Sequence, residues 1–207
     1  MASTQKTVEE GSIERAAEHF EAFMEALGLP PESSEHLEDT PERVAKAYMN
    51  ELFGGRQENP RQHLKTTFSN GSGSADDSGL VIVDNIQVQS LCAHHWLPFT
   101  GRAHVGYIPE GRIVGLSKLA RVVNGYARRP QVQEKLTNEI ADAVYEELDP
   151  LAVIVVLEAE HFCMSLRGIE EPHSTTRTSA LRGEAHPFDG EAHIKQEFMQ
   201  LIDNGGK

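Results

Sequence analysis

The sequence predicts an α+β protein in which a helical N-terminal arm precedes a domain of four strands and two helices. Apolar residues recur at helical spacing in the first part of the chain, and from Leu80 onward the apolar period changes to two. Two helical patterns then separate this first pair of strand patterns from a second pair. The order β-β-α-α-β-β is typical of an antiparallel sheet with helices on one face.

The N-terminal arm, predicted over residues 1–68, contains two amphipathic helices. The apolar residues at helical spacing in the first are Ile13, Ala16, Ala17, Phe20, Phe23, Met24 and Leu27. Gly28 ends this helix, and Asp39 begins the second, with Pro41 in its first turn. The residues predicted to line one face of the second helix are Val44, Ala47, Tyr48 and Leu52. Residues 69–79 are mostly Ser, Gly and Asp, which predicts a flexible loop.

The domain predicted over residues 80–207 begins with two antiparallel strands that meet at a Cys-His-His corner. Ser117 is predicted to cap the first helix of the pair, and Pro130 to open the second. The later elements are strands over 152–159 and 161–169, a strand or loop over 174–183, and a terminal helix capped by Asp189 with Ile194, Phe198, Leu201 and Ile202 inward. Because such a sheet has uncovered edges, we expect it to pair with further copies in a homo-oligomer.

Composition and charge exclude several classes of protein. The chain has 19 Lys and Arg residues against 32 Asp and Glu, a formal net charge of -13, and this field repels nucleic acid and anionic membranes. The longest wholly apolar run, over 151–157, is too short to span a bilayer. The first thirty residues lack the basic and apolar stretches of a secretory signal, so a cytoplasmic location is predicted.

Both cysteines of the chain lie beside histidines. Cys92 and His95 are three positions apart at a tight corner, so that a thiolate and an imidazole can reach one zinc ion. Cys163 lies two positions after His161, and on a strand this spacing puts both side chains on one face. The two segments together therefore predict one metal site.

Three interpretations of this group stay open from the residues themselves. The cysteines and histidines could be ordinary buried or surface groups. A closed structural zinc site could consist of Cys92, His95, Cys163 and either His94 or His161. An open three-ligand site is favoured, because a chain of this length needs no metal for its core and spare histidines suit proton transfer.

Two further groups have the chemistry of a nucleotide site. Lys118 and Arg121 follow Ser117 at a predicted helix N-terminus, where free N–H groups and cations attract phosphate. The motif alone favours the alternative, a capped helix with solvated basic residues, but the grouping of basic residues in so acidic a chain strengthens the case for a phosphate site. Glu134, in the first turn of the next helix, could accept two hydrogen bonds from the N–H and NH2 edge that guanine presents. The residues alone favour the alternative, that Glu134 complements the helix dipole.

Six separated segments resemble motifs of the GTP cyclohydrolase I family, in that family's order and at its spacing. They are 39–55 (DTPERVAKAYMNELFGG), 92–95 (CAHH), 115–121 (GLSKLAR), 129–136 (RPQVQEKL), 161–169 (HFCMSLRGI) and 174–183 (STTRTSALRG). The resemblance covers most of the chain from about Ile13 onward. One departure is Ala93, which stands where many members carry an acidic residue, so that a negative charge near the metal site is missing.

The resemblance implies the tunnelling fold, assembled as a toroidal homodecamer with sites at subunit interfaces. It also implies hydrolysis of GTP at carbon 8, ring opening, release of formate and recyclisation to 7,8-dihydroneopterin triphosphate, the first step of pterin and tetrahydrofolate biosynthesis. Two alternatives are an enzyme that releases a ring-opened formamide intermediate and a non-catalytic, zinc-stabilised oligomer that binds nucleotides. The presence of both His94 and His161 argues against each.

The same resemblance implies the roles of individual residues, position by position. It implies that Zn2+ is bound by Cys92, His95 and Cys163. It implies that the catalytic residues are His94, His161 and, beside the ribose, Ser117. The substrate contacts that it implies are Glu134 for guanine, Gln133 for the ribose or base, and Lys118, Arg121, Arg167 and Arg43 for the triphosphate.

Overall fold

The structure is a computed structural model that describes residues 10–69, 79–183 and 196–202. The chain divides into two compact units, Met1–Glu58 and Asn59–Lys207. Residues 59–68, which the sequence assigns to the arm, thus belong to the second unit. Within the described ranges no helix is long and apolar enough to cross a membrane.

The first unit is helical, as predicted. Its elements are α1 (Glu10–Ala26), a 3-10 turn (Pro31–Ser33), α2 (Thr40–Lys46), a π-helical turn (Ala47–Leu52) and a second 3-10 turn (Gly54–Arg56). Asp39 precedes α2 as predicted, but its carboxylate makes no cap hydrogen bond and accepts one from Arg43 at 2.8 Å. The buried residues of α2 are Pro41 and Ala45. Of the residues predicted to line one face of the second helix, Leu52 is exposed.

The second unit contains a five-stranded sheet and a two-stranded one. Its elements are a 3-10 turn (Pro60–Lys65), β1 (Thr67–Ser69), β2 (Val81–Cys92), β3 (Pro98–Ile108), β4 (Arg112–Val114), α3 (Leu116–Ala127), β5 (Pro130–Gln131), α4 (Gln133–Leu148), β6 (Ala152–His161), α5 (Phe162–Ser165), β7 (Thr176–Gly183) and α6 (196–202). The strand order of the large sheet is β5-β2-β3-β6-β7, and β1 pairs with β4. All neighbours are antiparallel except β2 and β5.

The main core lies between the large sheet and the helices α3 and α4. Its buried residues include Leu119 and Val122 of α3, Leu136, Ile140 and Val144 of α4, Val105 of β3, and Val153 and Val155 of β6. Alternate residues of β6 point to the opposite face, where Ile154 and Val156 pack with Phe198 and Ile202 of α6. The helix pair therefore covers one face as predicted, and α6 covers part of the other.

Both long helices begin at positions that differ from the prediction. The residue before α3 is Gly115, and Ser117 lies within the first turn, so Ser117 is not the cap. Pro130 does not open α4 but pairs with Leu91 in β5, and the helix begins at Gln133. A proline fits at this position because β5 is an edge strand, where a missing N–H leaves no ladder hydrogen bond unmade on the open side.

The predicted strand over 161–169 is also wrong. The pairing of β6 with β3 ends at His161, and its pairing with β7 already ends at Ala159. Without a neighbouring strand the chain turns into α5, so Cys163 lies on a helical turn. The fourth strand of the core is β7, within the segment 174–183 whose pattern fits a strand or a loop.

Two predictions fall wholly or mostly outside the described residues and stay predictions. These are the flexible loop over 69–79 and the start of the terminal helix, with its cap Asp189 and the inward side chain of Ile194. In α6 itself Phe198 and Ile202 are buried as predicted. Leu201 is 49% exposed, so its predicted inward orientation is wrong.

Candidate active site

The sheet topology brings four chain segments to one end of the sheet. Because β2, β3 and β6 are antiparallel neighbours, the end of β2 at Cys92 and the end of β6 at His161 both lie beside the start of β3. The pairing of Cys92 with Gln131 in β5 adds the N-terminus of α4 to the same end. Residues that are far apart in the sequence can therefore form one site there.

The corner between β2 and β3 is a closed turn. The backbone N–H of Cys92 donates to the carbonyl of Leu97 at 2.9 Å, and the N–H of Trp96 donates back to the carbonyl of Cys92 at 2.8 Å. Trp96 closes the turn in the left-handed region, at a φ of 56°. As a result the Nδ1 atoms of His94 and His95 lie 3.7 and 3.9 Å from the Sγ of Cys92.

Cys92, His95 and Cys163 form a group that could hold a metal ion. Their ligand atoms all lie within 4.8 Å of one another, and this is the one such group among the described residues. In a tetrahedral zinc site, bonds of about 2.0–2.3 Å separate the ligand atoms by roughly 3.5–3.8 Å, so only small side-chain adjustments are needed. Burial, followed by the proximity of Cys92, raises the pKa of the Cys163 thiol. A bound cation would oppose both effects, and two thiols with an imidazole suit zinc.

The group contains three ligands rather than four. Neither His94 nor His161 is part of the set in which all ligand atoms approach one another. The geometry thus favours an open site over the closed Cys2His2 alternative.

His161 is held between an aromatic ring and an amide. Its ring stacks on that of Phe99, with centroids 4.7 Å apart and planes 13° apart. Its Nε2 lies 2.7 Å from the Oε1 of Gln133. Burial lowers the pKa of His161 below its ordinary value, while the negative charge of Glu134 acts in the opposite direction. The ring is therefore fixed in place beside the candidate metal ligand Cys163.

Gln133 does not have the environment expected of a substrate contact. Its side chain is buried at 1% exposure. The Nε2 atom donates to the carbonyls of Leu157 and Thr176, at 3.1 and 3.0 Å, and lies 3.1 Å from the Oγ1 of Thr178. The sequence did not predict the contact between Gln133 and His161, because the two residues are 28 positions apart.

Two charged residues predicted to bind substrate also lie at this end of the sheet. Glu134 is exposed in the first turn of α4, and its carboxylate has no hydrogen-bond or ion-pair partner in the described part of the chain. Arg167 is exposed after α5, and its Nη1 lies 3.1 Å from the Nε2 of His95. Both groups are accessible to an incoming ligand.

Three of the remaining predicted residues lie in the first turns of α3. Ser117 and Arg121 are exposed at the start of α3, and Lys118 beside them is half-buried. Over the ranges 10–69, 79–183 and 196–202, no hydrogen bond or ion pair joins these three to the Cys–His group, and neither cation has an acidic partner. Arg43 is in the first unit, where it pairs with Asp39. The second unit alone thus brings together the cysteines, the three histidines, Gln133, Glu134 and Arg167.

Comparison with known proteins decides the family. A family model described as GTP cyclohydrolase I matches residues 16–203, which is most of the chain. The chain belongs to the GTP cyclohydrolase I family. The resemblance of the six sequence segments is thereby confirmed.

Individual relatives agree with the family assignment. A protein of Desulforamulus reducens named GTP cyclohydrolase 1 is 52% identical over 181 residues, which cover 87% of this chain and 91% of that protein. A GTP cyclohydrolase 1 of Corynebacterium glutamicum is 47% identical over 197 residues, which cover 94% and 95%. Among solved structures, the archaeosine synthase QueF-Like in the apo form aligns with a TM-score of 0.42 at 20% identity, over 52% of this chain and 96% of that one.

Proposed function

We propose that this chain is a zinc-dependent GTP cyclohydrolase I. It hydrolyses GTP at carbon 8, opens the imidazole ring, releases formate and recloses the product to 7,8-dihydroneopterin triphosphate. The observation that carries the proposal is the three-ligand group Cys92, His95 and Cys163 with His94 and His161 beside it, in a member of this family. A nucleotide-binding regulator would not need two further histidines at an open metal site.

The three ligands would hold zinc, and the neighbouring histidines would move protons. A zinc ion bound there supplies the Lewis acidity that lets water attack carbon 8 at neutral pH. His94 and His161 are proposed to transfer protons to the purine nitrogen as the ring opens and during the release of formate. Ser117 is proposed to carry a proton beside the ribose.

Charge and accessibility support the proposed substrate contacts. The exposed carboxylate of Glu134 can accept two hydrogen bonds from the N–H and NH2 edge of guanine. Lys118, Arg121 and Arg167 are proposed to bind the triphosphate, with Arg43 as a further contact. Such a local cluster is required, because the formal charge of -13 would otherwise repel the substrate.

A toroidal homodecamer with the tunnelling fold is part of the proposal. In support, β7 forms an edge of the sheet and can pair with another copy. The residues Trp96, Leu166 and Ile169, which flank the Cys–His segments, are 52%, 66% and 70% exposed, as expected of a subunit interface. In the described part of the chain no hydrogen bond or ion pair joins the cations of α3 to the Cys–His group, and we propose that a neighbouring copy completes the site. The cytoplasmic location stays a prediction.

The experiment that tests the proposal is incubation of the purified, zinc-loaded protein with GTP. Formate release and the absorbance and fluorescence of a pterin are followed, with a chelator-treated sample as control. We expect both products from the loaded protein and neither after chelation. Formate without a pterin would show that the reaction stops at a ring-opened product. Zinc and GTP bound without either product would replace the enzyme by the regulatory alternative.

Glu134→Gln is expected to raise the KM for GTP by about 10- to 100-fold, because a neutral amide cannot accept both hydrogen bonds of the guanine edge. The unfolding midpoint should fall only slightly, since the exposed carboxylate has no hydrogen-bond or ion-pair partner among the described residues and loses only its interaction with the helix dipole. Steady-state kinetics and thermal unfolding check both statements. Glu110→Gln, at an exposed turn away from the site, is the matched control. An unchanged KM in Glu134→Gln would refute the guanine contact.

A further inference from the structure

Both polar atoms of the Gln133 side chain have hydrogen-bond partners inside the protein. It is 1% exposed and lies at the first position of α4, between β6, β7 and the ring of His161. Its amide nitrogen lies within 3.1 Å of two carbonyls and one hydroxyl, and its amide oxygen lies 2.7 Å from the Nε2 of His161. A ligand in the site would find no polar atom of this side chain unoccupied.

The two carbonyls determine which way the amide points. The oxygens of Leu157 and Thr176 can only accept hydrogen bonds, so the NH2 group of Gln133 must face them. A flipped amide would place its oxygen against both carbonyl oxygens and leave the buried NH2 group beside the imidazole. The Oε1 of Gln133 therefore faces His161.

The orientation of the amide in turn determines the tautomer of the imidazole. An amide oxygen only accepts, so the Nε2 of His161 must carry the proton of the 2.7 Å hydrogen bond. In the neutral ring the Nδ1 atom then has no proton and retains its lone pair. The stacking on Phe99 fixes the plane of the ring, so the Nδ1 atom is held in one position.

We propose that Gln133 is a positioning residue that fixes the ring of His161 as its Nε2–H tautomer, with Nδ1 as the unprotonated nitrogen of the neutral ring. This rests on the proposed function, since it concerns how one of its catalytic histidines is held. This role differs from the contact with the ribose or base that the resemblance implies for Gln133. Through Gln133, β7 also takes part in the site, beside β6, which carries His161 itself.

The test compares Gln133→Met with Thr137→Val in the full, zinc-loaded chain. Methionine has a similar length but no amide, whereas Thr137 donates only to the backbone carbonyl of Gln133 and contacts Thr178. Both variants remove buried hydrogen bonds, but only the first releases the imidazole. We expect Gln133→Met to lower the kcat for formate release by about 10- to 100-fold, with KM changed less than about threefold. Thr137→Val should keep the kcat of the wild type.

A spectroscopic measurement keeps the proposal testable even if Gln133→Met does not fold. In protein labelled with 15N-histidine, the long-range 1H–15N correlations of His161 report its tautomer at about pH 8, where a free imidazole is neutral. His161→Gln identifies the signal by its loss. We expect the Nε2–H form in the wild type.

The outcomes separate the proposal from its alternatives. An Nδ1–H tautomer in the wild type overturns it, as does a raised KM with unchanged kcat in Gln133→Met, which would indicate a substrate contact. Equal losses of kcat in Gln133→Met and Thr137→Val would overturn the proposal, because they would show that Gln133 contributes only to the stability of the fold. If the wild type releases no formate, the proposed function fails, whereas the 15N spectrum still tests the hydrogen bond between Gln133 and His161.

Discussion

Replacing Cys163 by serine is expected to abolish both zinc retention and formate release. Cys163 is one of three ligands whose atoms lie within 4.8 Å of one another, and a hydroxyl is a far weaker zinc ligand than a thiolate. With two protein ligands left, the bound metal should fall from about one zinc ion per chain to a small fraction of that. Zinc content after gel filtration and formate release from GTP measure the two effects.

The neighbouring variant Met164→Leu is the matched control for Cys163→Ser. It lies on the same short helix, α5, and conserves side-chain volume, so zinc content and formate release should stay as in the wild type. Chelated wild-type protein should regain formate release when zinc is returned, whereas Cys163→Ser should not. A full complement of zinc in Cys163→Ser would exclude this residue from the ligand set.

The second large effect is expected for His161→Gln, which should lower the kcat for formate release by about 10²- to 10⁴-fold. The glutamine amide can still donate to the Oε1 of Gln133 in place of the imidazole Nε2–H, but it cannot transfer protons near neutral pH. Because the ligand group does not include His161, zinc content should be unchanged. GTP binding should also be retained, which equilibrium binding of GTP under non-turnover conditions measures.

The control for His161→Gln is the same substitution at His36, a side chain that is 87% exposed. His36→Gln should release formate at the wild-type rate. Wild-type turnover in His161→Gln would exclude a proton-transfer role for His161. Loss of zinc in this variant would instead show that His161 is needed for the metal site.

Several features of the site are local in the sequence and could be predicted from it. Cys92, His94 and His95 fall within one turn, so their spacing already brings the thiol and the imidazoles together. The strands β2 and β3 have strong two-residue periodicity, and their pairing across a short corner follows from it. The six motifs also identify the family, because they depend only on residue type and order along the chain.

Boundaries that depend on a distant partner could not be predicted in the same way. The pattern over 161–169 resembles a strand, but the chain turns into α5 because neither β3 nor β7 extends far enough to pair with it. Pro130 was predicted to start a helix, but it pairs with Leu91 of β2 as part of the edge strand β5. In both cases the local propensity was overridden by the presence or absence of a neighbouring strand.

The sequence by itself therefore determined the family and the α+β class, and it predicted the candidate site residues, because these depend on residue type and local spacing. Only the tertiary structure decided how Gln133 is used, because its partners Leu157, Thr176 and His161 come from strands distant in the sequence. The physical reason is that a buried polar group takes its partners from whatever the strand register places beside it, and no spacing along the chain encodes that register.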